Sequence, residues 1–273
     1  MRLINNVQAP YFIFDNLSGF NEIKHFVSTR HGGVSKGEYS SLNIGFGTAD
    51  DQALVLENRQ ILAKSVDIAL DSFVILNQIH NTNVAVVTRT MRGNGVYSRD
   101  TALCGTDAMV TNQPDICIFV MAADCVPLLF FDPVNKVIGA CHAGWRGTIN
   151  KASLATIKTM CETFGSIPAD IIVGIGPSIG PCCYNVGGEV IDSVFRTFGS
   201  TDSLIRFDNF DWQPYFDLWA TNKYLLLEAG LTNNHIELAG LCTQCHHNDF
   251  FSSRHGKGIT GRFGAGIMLK QDF

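Results

Sequence analysis

Cys125, His142 and His80 are the side chains whose types and spacing point most directly to chemistry. The segment CIFVMAADCVPLLFFDPVNKVIGACHAGWRGTIN (117–150) holds two apolar runs, 126–132 and 136–141, around the turn signal Pro133-Val134-Asn135. A hairpin centred between Pro133 and Val134 sets Cys125 and His142 at equal distances from its turn. In antiparallel pairing they then face each other, with Cα atoms roughly 4.5–5.5 Å apart. A thiolate and an imidazole so placed can share one ion. His80, in QIHNTNV between two expected strands, is the third donor, 45 residues before Cys125 and far outside zinc-finger spacing. Three protein ligands with an open fourth position make the pattern of a catalytic zinc, and a Cys/His/His set suits a borderline-soft ion. The competing reading is a buried thiol beside two hydrogen-bonded histidines.

Neighbouring residues extend this expectation. Asp124 is placed to orient a ligand or accept a proton, or else to cap the strand end. In HAGWRG, Gly144 and Gly147 allow close backbone approach, the following helix presents N–H groups, and Arg146 adds a fixed positive charge, all of which favour an anion. An ordinary tight strand-to-helix turn would use the same glycines.

Stepping outward, short strands are expected at Tyr11–Phe14, His25–Ser28, Phe73–Leu76, Val84–Thr88, Ala108–Thr111, Ile116–Met121, Ile171–Ile175, His235–Leu238 and Ala265–Leu269. Between them lie helices: one capped by Asp50/Asp51 and running to Val66, and one capped by Asn150 and ended by Gly165. Another spans Gly188–Phe198 and closes at Gly199, and a last one starts at Asp217 and stops at Gly230. Ser28–Gly47, Thr90–Thr106 and CTQCHHNDFFSSRHGKGITGR read as long loops. The fold class this implies is mixed α/β (α+β). One domain over 1–273 is expected, with mixed sheet layers flanked by helices and a central antiparallel hairpin carrying the metal site.

With 46% hydrophobic and 16% charged residues, the chain can bury a sizeable core. A net charge of −5 without clustered cations disfavours a nucleic-acid partner, while a small anionic substrate needs only one or two arginines. The N-terminal apolar stretch is short and interrupted by Asp15, and no window approaches the ~18 apolar residues of a membrane span. The nine cysteines are then expected to be reduced thiols in a cytoplasmic protein.

The motifs STRHGGVSKGEYSSLNIG, QIHNTNV, GTDAMVT, MAADCVPLLF, HAGWRGT, GPSIGPCCYNV and CTQC…FFSSRHGKGITGR occur in one order. Together they resemble the family first called multicopper polyphenol oxidases or laccase-like proteins and later assigned as purine nucleoside phosphorylases. The resemblance implies zinc on His80, Cys125 and His142. It also implies phosphorolysis of adenosine, inosine, guanosine and methylthioadenosine, with adenosine deamination as a second activity. It makes Asp124 and Arg254 catalytic candidates and Arg30, Asn43, Arg146 and Arg262 substrate-binding candidates, with a loop-structuring role the alternative for Arg30 and Asn43. The family commonly has Tyr-Arg-Arg-Asp where this chain has Ser253-Arg254-His255-Gly256, so a second arginine is missing here.

Copper remains an alternative occupant and polyphenol oxidation an alternative activity. A multicopper mechanism, however, needs many His-X-His pairs, and the eight histidines here form none. The usual deaminase signature is incomplete, because Pro181-Cys182-Cys183 lacks the second spaced cysteine of P-C-x-x-C. Cys242-Thr-Gln-Cys245-His246 has the form of a haem-attachment motif. A second zinc on Cys242, Cys245 and His247 is a further reading, and packing thiols are the plain one. A non-enzymatic zinc-binding scaffold is the remaining alternative.

Overall fold

Val126–Asp132 and Val137–Ala143 are buried at every position, so both faces of these strands are covered. Alternate side chains show by what. Leu128 and Phe130 enter a core with Ile157, Val194 and Leu226 from three helices. Leu129 and Phe131 point the other way, into a core shared with Ile118, Val120 and Ile267 of a second sheet. In that second sheet Cys117 and Phe119 turn outward onto Leu62 and Ala63 of another helix. The computed structural model, which describes residues 1–208 and 212–271, therefore stacks four layers. These are helix Gln52–Ser65, a seven-stranded sheet, a six-stranded sheet, and helices Ala152–Phe164, Gly188–Phe198 and Leu218–Glu228.

The first sheet runs Arg2–Ile4, Tyr11–Ile13, Ile23–Ser28, Phe263–Leu269, Cys117–Ala122, Phe73–Asn77, Leu103–Cys104. The second runs Ile236–Leu238, Ile172–Ile175, Val126–Asp132, Val137–Ala143, Ala108–Thr111, Val84–Val86. Both mix parallel and antiparallel pairs. No helix among the described residues is long and apolar enough to cross a membrane.

This topology gathers the functional loops at one end. Phe73–Asn77 and Cys117–Ala122 are parallel neighbours, and after each the chain crosses to the other sheet. His80 lies in the first crossing, and Asp124 and Cys125 in the second. Val137–Ala143, antiparallel to Val126–Asp132, finishes at the same end with His142. Phe263–Leu269 starts there after Arg262. The parallel pair Ile172–Ile175 and Ile236–Leu238 delivers its two following loops there as well.

Two local expectations are corrected. The hairpin turn covers Pro133 to Lys136 rather than three residues. Asp132 Oδ1 accepts the N–H groups of Val134 and Asn135 at 2.8 and 3.1 Å, and Lys136 takes the left-handed conformation at φ 53°. The register is thereby shifted by two residues, and His142 pairs with Pro127 rather than Cys125. Asn150 does not cap the long helix. It ends a short one, Trp145–Ile149, and Lys151 at φ 66° breaks the chain direction before Ala152–Phe164. The caps at Asp51, Asp217, Gly165 and Gly199 fall as expected.

Candidate metal centre

Although the hairpin does not pair them, His80, Cys125 and His142 come together, with one ligand atom from each within 4.8 Å of the others. Cys125 lies beyond the end of its strand. Continuing the register sets it opposite Gly144, where a Cβ would stand 2.9 Å from Cys125 Sγ and 3.0 Å from His80 Cδ2. Gly144 is thus the vacancy the thiol and the imidazole share.

Asp107, in GTDAMVT, organises the group and was not singled out from the sequence. Its buried carboxylate receives His142 Nδ1 at 2.9 Å and the backbone N–H groups of Ile79, His80 and Asn81 at 2.9–3.0 Å. Three successive N–H groups turned onto one anion hold His80 in its left-handed conformation at φ 63°. With Nδ1 committed, His142 offers Nε2 to the site, and His80 Nε2 stands 3.8 Å from Cys125 Sγ. The signal that could have found Asp107 is chemical, because a ligating histidine usually gives its other N–H to a carboxylate.

Burial alone would raise the Cys125 thiol, but the His142 and His80 rings against it bring it down to about 6. Burial would lower His142, and Cys125 and Asp107 instead lift it to about 9. The group favours a thiolate beside cationic imidazole, a charge pattern that a divalent ion can take over. Donor types, spacing and the carboxylate behind His142 all fit a zinc-like ion.

The three side chains open into a cavity of about 780 Å³ lined also by Gln78, Tyr184 and four arginines, Arg59, Arg99, Arg254 and Arg262. Gln78 ties the first crossing to the end of strand Cys117–Ala122, donating to Met121 O and accepting from Met121 N at 2.8 Å each. Arg262 is oriented by Nη1 bonds to the carbonyls of Thr260 and Gly261 at 2.9 Å. Arg254 reaches Cys183 O at 3.1 Å and Asn185, with its guanidinium 5.2 Å from the Tyr184 ring centre. Arg59 is held by the carbonyls of Ile44, Gly95 and Val96, and burial draws it down to about 9.

Asp124 lines the cavity, but both carboxylate oxygens are engaged, Oδ1 by Thr243 Oγ1 and Oδ2 by Arg254 N, each at 2.6 Å. Its backbone sits at φ 91°. Three substrate-binding candidates stand outside the lining. Arg146 pairs with Glu189 at 3.4 Å and stacks over Trp145. Arg30 spends its guanidinium on Ser40 O and His247 O and over Phe251. Asn43 is fully buried and bonded to Thr48, Asp50, Gly45 N and Arg262 N.

One H-x-E triplet does occur, His235-Ile236-Glu237, but Glu237 receives the Met1 amino group and Asn16 N, and the triplet lies outside the cavity lining. The Cys242-x-x-Cys245 motif is not completed by His247, which bonds Gln244 O and stacks on His255 at 3.8 Å. It meets Cys182 and Cys183 instead, with the four sulfurs within 4.8 Å.

Residues 24–270 match the family model described as multi-copper polyphenol oxidoreductase laccase. The purine nucleoside phosphorylase YlmD of Geobacillus stearothermophilus is 37% identical over 247 residues, covering 90% of each chain. The crystal structure of YlmD from that organism superposes with a TM-score of 0.91 over 98% of both chains, at 34% identity. A protein named adenosine deaminase RL5, from an unknown prokaryotic organism, is 32% identical over 91% of this chain and 94% of its own length.

Proposed function

We propose that this chain, which belongs to the multi-copper polyphenol oxidoreductase laccase family, is a zinc-dependent purine nucleoside phosphorylase. Its substrates are adenosine, inosine, guanosine and methylthioadenosine, with inorganic phosphate. The observation that carries the reading is the arginine-lined cavity into which His80, Cys125 and His142 open. It has room for a nucleoside and an anion together, in the volume range typical of small-molecule sites. The relatives named purine nucleoside phosphorylase support the same class.

In phosphorolysis a phosphate oxygen attacks the ribose C1′. The glycosidic C1′–N bond breaks, its electron pair goes to the purine, and the base takes up a proton as it leaves. Arg254 and Arg262 hold the anionic nucleophile against C1′, where their fixed charges offset its desolvation. Asp124 holds Thr243 and the Arg254 backbone, so the wall bearing the arginine keeps its place, and its remaining lone pairs can accept the proton that the hydrogen phosphate gives up on attack and pass it to the leaving base. His80, Cys125 and His142 would hold zinc, which supplies Lewis acidity towards an oxygen in the cavity.

Adenosine deamination is the second reading, favoured by the relative named for that activity. Purified, metal-analysed protein given adenosine with and without phosphate separates the two by chromatography. Adenine and ribose 1-phosphate, formed only when phosphate is present, are expected. Inosine in both arms would make deamination the principal activity, and no turnover with stoichiometric zinc would refute the enzyme reading. Copper chemistry of the multicopper kind finds no ligand group of three or more histidines among the described residues to carry it. Among the described residues the metal-capable groups are the Cys/His/His set and the four cysteines.

A further inference from the structure

We propose that Cys182, Cys183, Cys242 and Cys245 form a second metal site, a tetrathiolate zinc that staples two walls of the cavity together. It does not depend on which reaction the cavity performs. The fold brings the four together by parallel pairing. Strands Ile172–Ile175 and Ile236–Leu238 lie side by side and end together, and the pairing reappears beyond them as a bridge between Ser178 and Cys242. The loops that follow, GPSIGPCC and CTQC, therefore run alongside each other and present two cysteines each.

Cys245 Sγ stands 3.6 Å from Cys182 Sγ and 3.4 Å from Cys183 Sγ, and all four sulfurs lie within 4.8 Å of one another. Four sulfurs at about 2.3 Å from a tetrahedral zinc are separated by about 3.8 Å, so the cluster has the dimensions of such a site. A disulfide would need about 2.05 Å. Packing does not account for the cluster either, since Cys182 and Cys245 are exposed while their sulfurs converge.

A backbone donor and two fixed positive charges stand beside the cluster. Cys242 Sγ receives the N–H of Gly180 at 3.3 Å. Two guanidinium groups are anchored beside the cluster, Arg206 on Pro181 O at 3.3 Å and Arg254 on Cys183 O at 3.1 Å. They offset the net negative charge of a divalent ion with four thiolates. Binding would displace the thiol protons to solvent and fix the loops at four points.

What the staple would hold is the cavity wall. Thr243, between the two cysteines of CTQC, donates to Asp124, and Tyr184, next to Cys183, lines the cavity. Ile179, in the other loop, donates its N–H to Asp124 O at 2.8 Å.

The test separates the two sites by metal content. The Cys125→Ala variant, purified reduced and dialysed against EDTA after loading with zinc, is expected to retain one zinc per chain by elemental mass spectrometry. The Cys125→Ala/Cys182→Ser/Cys245→Ser variant should retain none. Cobalt(II) loading of the Cys125→Ala variant should give the intense near-ultraviolet sulfur-to-cobalt charge transfer of a thiolate-rich tetrahedral site. A metal-free Cys125→Ala chain would overturn the proposal, and so would an intact mass two hydrogens short, which reports a disulfide. The serine substitutions at 182 and 245 are at exposed positions, so far-ultraviolet dichroism should remain that of the parent chain.

Discussion

At the scale of single residues, the metal centre depends on two positions that carry no ligand atom. Asp107 takes four hydrogen bonds at once, from His142 and three consecutive backbone N–H groups. An amide at that position turns one accepting end into a donor facing donors. Asp107→Asn is therefore expected to weaken zinc binding about 10–100-fold, read by competition with a chromophoric chelator. Unchanged affinity would leave Asp107 as a loop fastener only. Gly144 acts by having no side chain. Gly144→Ala drives a methyl to 2.9 Å from Cys125 Sγ, and neither the thiol nor the His80 ring can retreat while both are ligands. The expected outcome is loss of metal from this site with dichroism preserved. A variant that keeps zinc here with full affinity would refute the shared-vacancy reading.

At the scale of elements, the loop between Ser28 and the helix Gln52–Ser65 is built around Asn43 and Asn58. Asn43 receives Gly45 N and Arg262 N on its oxygen and donates to Thr48 and Asp50, and Asn58 donates to Asn43 O and Ser35. Asn43→Ala leaves buried backbone donors without acceptors, at a cost of roughly 1–3 kcal/mol. The urea midpoint is expected to fall while KM for nucleoside changes little. A raised KM at an unchanged midpoint would return Asn43 to substrate binding.

The same contrast explains what the sequence could reveal. Helices with side-chain or glycine caps at Asp51, Asp217, Gly165 and Gly199 were legible, because caps are local chemistry. Strands of the central hairpin were legible from their unbroken apolar runs. Its register was not, since the turn enlists Asp132 and Lys136 through a side-chain bond and a positive φ that residue types do not announce. The short strands Arg2–Ile4, Ile205–Phe207 and Pro214–Phe216 escaped for want of periodicity. The convergence of His80, Cys125 and His142 was legible by donor type, whereas Asp107 and the meeting of Cys182 and Cys183 with Cys242 and Cys245 come from pairings between strands distant in sequence.

At the scale of the whole molecule, four layers share their burial, and one titratable group sits where it must stay neutral. His25, on strand Ile23–Ser28, is buried and accepts the Phe14 N–H on Nε2 at 2.9 Å. Burial brings its pKa down to about 4, opposed only in part by its hydrogen bond to Phe14 and by the charge of Asp15. The folded value thus lies below the ordinary 6.5, so the unfolded chain binds more protons between these limits. Stability then rises with pH through the window from about 4 to 6.5, is fully present above it, and is lost as pH falls towards 4. A shift of this size corresponds to roughly 3 kcal/mol across the window. The metal ligands also release their ion in acid, so the informative quantity is a difference. Urea midpoints of the parent chain and of His25→Gln, both stripped of metal, should converge as pH falls from 7 to about 4, because the glutamine has no proton to take up. Parallel curves for the two chains would show that His25 does not couple folding to pH.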